Sequence, residues 1–160
     1  MKYIWHYKTP IGRLGIAETE GAISHVLFDG DSRLSDYERN ETAIIKTMAT
    51  QLLEYFDGKR ISFDCPLFLR GTEFQKSVWS ALQTIPFGET RSYKDIAEQV
   101  GNPKAVRAVG MANNRNRLPI IIPCHRVVGS NGKLVGYAGG LDVKQYLLDL
   151  EKSSARGSLF

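Results

Sequence analysis

The chain opens on short apolar runs that alternate loosely with polar residues. Residues 2–9 (KYIWHYKT), 13–19 (RLGIAET) and 22–29 (AISHVLFD) are separated by Pro-Ile-Gly and Glu-Gly. Runs of this length between turn residues predict an antiparallel meander. Trp5 and Phe28 are expected in its core, with His6 and His25 as structural or surface positions. From Ser35 to Phe56 the period lengthens. Ile44, Met48, Leu52, Tyr55 and Phe56 recur at helical spacing and predict one long amphipathic helix, stopped by Asp57-Gly58. Residues 60–68 (RISFDCPLF) alternate again and predict a further strand with Ile61, Phe63 and Cys65 on one face. Cys65 has no polar partner in that pattern and reads as a buried small hydrophobe. The β-β-β-α-β order predicts an α+β module spanning residues 1–69.

Residues 70–160 read as mostly helical. Thr72 can cap a helix with Gln75 completing a capping box, and Phe74, Val78, Ala81, Leu82 and Ile85 form its apolar stripe. Trp79 adds core bulk. Residues 85–93 (IPFGETRSY) read as a loop. Ser92 can cap a short helix from Tyr93 to Val100, broken by Gly101-Asn102-Pro103. A second helix is expected from Lys104 to about Asn113, with Pro103 at its first turn. Helix, glycine-containing turn, helix is the helix-turn-helix pattern. Ile96, Ala97, Val100, Val106 and Val109 would pack the pair; Lys104, Arg107, Asn113 and Asn114 would face outward. Residues 118–124 (LPIIIPC) predict a short buried strand or extended segment, and residues 129–140 a glycine-rich loop. A last helix follows from Leu141, with Leu141, Tyr146 (or Gln145), Leu148 and Glu151 on its inner side. Residues 153–160 (SSARGSLF) are expected to form a frayed tail.

Composition narrows the classes. Of the 160 residues, 42% are apolar and 24% charged, so the chain can bury a core and is not of disordered composition. No run approaches the ~18 apolar residues of a membrane span, and the first residues lack a signal-peptide core. A cytoplasmic protein is expected. Net charge is +4. Lys94, Lys104, Arg107, Arg115, Arg117 and Arg126 crowd into one stretch, which suits either a nucleic-acid footprint or an ordinary solvated surface. Two cysteines exclude a disulfide framework and a four-thiolate zinc site. No metal site is predicted. Lys133 lacks the spacing of a phosphate-binding loop, because Val127 stands where its first glycine belongs and Leu134 follows the lysine. No bound cofactor is indicated.

The chemistry concentrates in residues 120–129 (IIIPCHRVVG). A thiol becomes a strong nucleophile when an imidazole lowers its pKa or takes its proton. Adjacent residues of a strand point to opposite faces, so Cys124 and His125 can cooperate only where the chain leaves the strand, after Pro123. Glu151 on the last helix is the carboxylate placed to orient the imidazole. A core cysteine beside a surface histidine fits the local residues equally well.

Three motifs in order weigh against that reading. PCHRV at 123–127 after an apolar run, NPKAVRAVG at 102–110 upstream and GYAGGL at 136–141 downstream resemble the O6-alkylguanine-DNA alkyltransferases. The resemblance is strongest from Thr72 to Lys152; the first module fits by size and element order. It implies a ribonuclease H-like N-terminal domain and a helical C-terminal domain with a helix-turn-helix. It implies direct-reversal DNA repair, in which an alkyl group on O6 of guanine passes irreversibly to Cys124 after base flipping, once per molecule. O4-alkylthymine is a second candidate substrate. His125 matches the base, acting through a water and oriented by Glu151. Asn116 matches the asparagine that tethers the active-site turn. Tyr93 matches a tyrosine that donates toward N3 of the flipped base. Val127, Tyr137 and Ala138 would read and line the purine pocket. Arg107 matches the arginine that fills the vacated stack. With Lys104 and Arg115 it would bind double-stranded DNA through the minor groove. No cofactor and no membrane are implied, and a monomer is expected. Arg117 departs from the family, where proline commonly stands. The competing reading is an alkylated-DNA lesion-binding protein without transfer, but such proteins replace the cysteine.

Overall fold

The computed structural model describes residues 1–156. The chain divides into two compact units, Met1–Leu69 and Arg70–Phe160.

The first unit is built on a four-stranded sheet in the order β3-β2-β1-β4. β1 (Lys2–Thr9), β2 (Gly12–Thr19) and β3 (Ala22–Leu27) form the expected meander, and the two-residue β4 (Glu38–Arg39) adds in parallel to β1. Glu20 and Gly21 both take positive φ (53° and 80°), the backbone a tight two-residue hairpin turn requires. Alternation then sorts the side chains. Ile4, Ala17 and Leu27 cluster on one face, under Leu34 and Tyr37. α1 (Ala43–Phe56) packs across β1, β2 and β3.

Several expectations change here. The helix does not begin near Ser35. Residues 38–39 pair with β1, and Thr42 caps α1 by accepting from the Ile45 amide. Ile45, rather than Ile44, points inward. Trp5 and Phe28 are only half-buried; Ile4, Leu14, Ile16 and Ile23 form the core instead, and Arg39 lies over the Trp5 ring. Residues 60–68 form no strand. The segment touches the sheet at one bridge, Ile23 to Leu67, and Pro66 cannot donate to a ladder. Ile61 is exposed, and Cys65 is half-buried with Gln51 Oε1 4.0 Å from its sulfur, so it is neither fully buried nor without a polar neighbour.

The second unit packs three helices together: α2 (Glu73–Leu82), α3 (Tyr93–Gln99) and α4 (Val106–Asn114). The Thr72–Gln75 capping box is present, and Ser92 with Asp95 makes a second one at α3. Trp79 is a core residue whose indole N–H donates to Ala112 O at 2.9 Å. α4 starts two residues later than the pattern suggests. Pro103 lies in a turn closed by Ala105 N–H to Asn102 O, so Lys104 precedes the helix. Val106 is exposed, while Asn113 is buried. The segment 85–93 is not all loop: β5 (Arg91–Ser92) pairs in parallel with β6 (Val127–Val128). α5 runs Leu141–Arg156, so 153–156 are helical; the expected frayed tail otherwise falls at 157–160, outside the described residues. Its inner stripe is Lys144, Leu147, Glu151 and Ser154, whereas Leu141 and Tyr146 are exposed. None of the described helices is long and apolar enough to cross a membrane.

Candidate active site

The run Ile120–Ile122 is a tight turn and not a strand. Ile122 N–H reaches back to Leu118 O, and Ile120 takes φ 75°. A β-branched residue in the left-handed region is strained. Asn116 holds the turn from both sides: its Nδ2 donates to Ile122 O at 2.8 Å, and its Oδ1 accepts from Leu118 N at 2.9 Å. After Pro123 the chain makes one 3₁₀ turn, Cys124–Arg126. This break lets adjacent side chains leave strand geometry. The parallel β5–β6 pair then sets Val127 beside Arg91 and Val128 beside Ser92. Ser92 also caps α3, so one residue anchors the start of Tyr93's helix next to the strand that follows Cys124.

Cys124 is 5% exposed. Burial pushes its thiol up to about 11, a rise opposed by hydrogen bonds from Asn116 and Tyr137 and by the charge of Lys144. His125 and Glu151 are both buried, with His125 Nε2 2.6 Å from Glu151 Oε2. Burial pulls His125 below its ordinary pKa, and the charges of Arg126 and Lys144 push the same way against the pull of Glu151. Burial alone would raise Glu151, but His125 and Arg126 outweigh it and hold the carboxyl at about 2. Tyr93 donates from its hydroxyl to Val135 O at 3.4 Å. Burial, and then the Cys124 charge, raise its phenol, so it remains a donor at neutral pH.

Cys124, His125, Glu151, Asn116, Tyr93 and Tyr137 therefore converge. Val127 is buried beside them and uses its N–H on Cys124 O, while Ala138 lies exposed on the glycine-rich loop. Lys104, Arg107 and Arg115 are exposed outside the cluster. Gly110 of α4 faces the Tyr93 ring, where an added Cβ would sit 4.0 Å from it. Arg107 stands one turn earlier on that face.

Three neighbours escaped the sequence pattern. Asn113 is buried and aims Nδ2 at Cys124 O, 3.5 Å away. Lys144 is fully buried, with Nζ donating to Val135 O at 3.0 Å. Arg126 is not part of a solvated basic face: it is 6% exposed and bound to Glu151. Counting back from Glu151 by helical turns reaches Leu147 and Lys144 and would have signalled the lysine.

Comparison with known proteins places both units in one family. Residues 2–69 match the ribonuclease-like domain, and residues 73–153 the DNA binding domain, of 6-O-methylguanine DNA methyltransferase. A methylated-DNA–protein-cysteine methyltransferase of Methanosarcina barkeri is 52% identical over 153 residues, covering 93% of this chain and 96% of that one. The constitutive enzyme of that name from Bacillus subtilis is 48% identical over 161 residues, covering 96% and 98%. Among solved structures, the Mycobacterium tuberculosis OGT in complex with DNA superposes with a TM-score of 0.89 at 44% identity, covering 95% and 94%. A cysteine–histidine–glutamate cluster inside a fold matched at both units leaves one assignment: the chain belongs to the 6-O-methylguanine DNA methyltransferase family.

Proposed function

We propose that this protein repairs DNA by direct reversal, moving the alkyl group from O6 of guanine to Cys124 once per molecule. The buried thiol next to a carboxylate-held imidazole carries this reading. With its pKa near 11, Cys124 is almost wholly protonated at neutral pH, so the attack needs a base. His125 takes the thiol proton, directly or through a water, with Glu151 fixing the ring. The sulfur attacks the saturated alkyl carbon, the S–C bond forms as the C–O6 bond breaks, and guanine leaves with its edge hydrogen-bonded by the Tyr93 phenol. No tetrahedral oxyanion arises. The proton lost by the thiol is balanced by the one guanine regains. The product is a thioether, a poor leaving group, and the described residues around Cys124 include no second thiol to displace it.

A buried sulfur reaches the base only after the nucleotide leaves the stack. Arg107, with Lys104 and Arg115, presents a basic face for duplex DNA. The small residues Ala105, Ala108 and Gly110 between them suit close approach to the minor groove. Arg107 would fill the vacated stack, while Tyr137 and the backbone at Val127 and Ala138 line the pocket. Phosphate contacts of this kind weaken as salt rises. The protein acts as a monomer in the cytoplasm. The test is intact mass after incubation with duplex DNA carrying O6-methylguanine. One added methyl on Cys124 is expected, and none in Cys124→Ala; repair persisting in that variant refutes the assignment.

A further inference from the structure

The carboxylate beside His125 does not serve the histidine alone. Arg126 Nε donates to Glu151 Oε1 at 2.8 Å, and Nη2 to Oε2 at 3.0 Å. Gly88 N–H adds a bond to Oε1 at 3.2 Å. The third guanidinium nitrogen donates to Ile85 O at 2.8 Å, and the guanidinium carbon lies 5.7 Å from the Phe87 ring centroid. Arg126 thus ties Glu151 on α5 to the 85–88 segment. A guanidinium forks onto both carboxylate oxygens in this way, which an ammonium cannot do.

Two consequences follow from charge and donor counts. An ionised carboxylate only accepts, so the 2.6 Å bond from His125 must carry its hydrogen on Nε2. Nδ1 is then the free acceptor, and it is buried with no hydrogen-bond partner among the described residues. Second, Arg126 and Glu151 sum to zero charge. A lone buried carboxylate stabilises an imidazolium beside it; one already matched by a guanidinium has far less pull. The remaining charged group that acts on His125 is Lys144 on α5, which also disfavours the imidazolium.

We propose that Arg126 is a positioning residue: by forking onto Glu151 it keeps His125 a neutral imidazole, protonated on Nε2, with Nδ1 presented as the base. The role deepens the alkyl-transfer reading and rests on it. Without Arg126, Glu151 would hold His125 as an imidazolium at neutral pH, and the ring could accept no further proton.

The imidazole nitrogens of the unmodified protein report this directly by ¹⁵N NMR, with His125 assigned by comparison with His125→Gln. The neutral Nε2–H form is expected throughout pH 6–8. An imidazolium or the Nδ1–H form in that range overturns the proposal, whether or not Arg126 variants fold. In Arg126→Met the acid limb of the transfer rate should move up by about one pH unit or more, the scale of a close opposite charge. Arg126→Lys, which keeps the charge, should return the limb most of the way. An unmoved limb in a folded Arg126→Met overturns the role. Failure of the transfer reading itself would appear separately, as absence of the methyl adduct in unmodified protein.

Discussion

Lys144 is the residue whose place is hardest to explain by packing. It is fully buried on α5, and among the described residues no carboxylate pairs with it. Burial lowers its pKa, and the Cys124 charge opposes that fall. Cys124, when it ionises, is thus the anion that the ammonium faces. Lys144→Met should raise the Cys124 pKa further and cut the reactive fraction at neutral pH several-fold, since one unit is a factor of ten. Lys144→Arg should keep most of it. The rate of iodoacetamide alkylation against pH, in a Cys65→Ser background, reads this. Folding stability should not fall with it, because removing a buried cation that lacks a carboxylate is neutral or favourable. A drop in stability with an unchanged thiol pKa would make Lys144 a packing residue.

Among the elements, α4 carries the proposed DNA contact. Arg107 is exposed and does not touch the thiol, so Arg107→Ala should slow repair in duplex DNA at least tenfold while leaving reaction with the free base O6-methylguanine unchanged. Equal losses on both substrates would remove its stacking role. The elements also show what could be read beforehand. α2 was legible from the Thr72–Gln75 capping box and α3 from Ser92 as an N-cap, local signals that both helices keep. The meander was legible from its turns. Residues 60–68 misled because Ile61, Phe63 and Cys65 alternate like a strand, yet alternation does not supply a ladder partner. Residues 118–124 misled because β-branched residues normally mean strand. Here the segment forms a turn closed by Ile122 N–H on Leu118 O and held by Asn116. Cys124, His125 and Glu151 stood out by residue type and position; Arg126 and Lys144 did not, because a pattern of charges reads as surface until burial is known.

At the scale of the whole molecule, the buried groups set a pH window for folding. Glu151 is held at about 2, below its ordinary 4.5. Its stabilising contribution is complete above 4.5 and is lost as pH falls toward 2, because the unfolded chain binds the proton first. Cys124 is raised from 9 to about 11. Its contribution is complete below 9 and is lost as pH rises toward 11, because the unfolded thiol ionises first. Thermal unfolding of the full chain against pH should therefore fall at both limits. Cys124→Ala should flatten the alkaline fall alone. Glu151→Gln should flatten part of the acid fall while lowering stability at neutral pH. An alkaline limb identical in Cys124→Ala would mean that the thiol does not contribute to it.

The turn before Cys124 has one more implication. Ile120 sits where glycine would be at ease, a strain on the order of 1–3 kcal/mol. Glycine there would relieve it but also remove a buried side chain and free the backbone to sample other turns. The isoleucine therefore trades thermodynamic stability for a single conformation. A sulfur that follows a turn held in one conformation is already aimed when the base arrives.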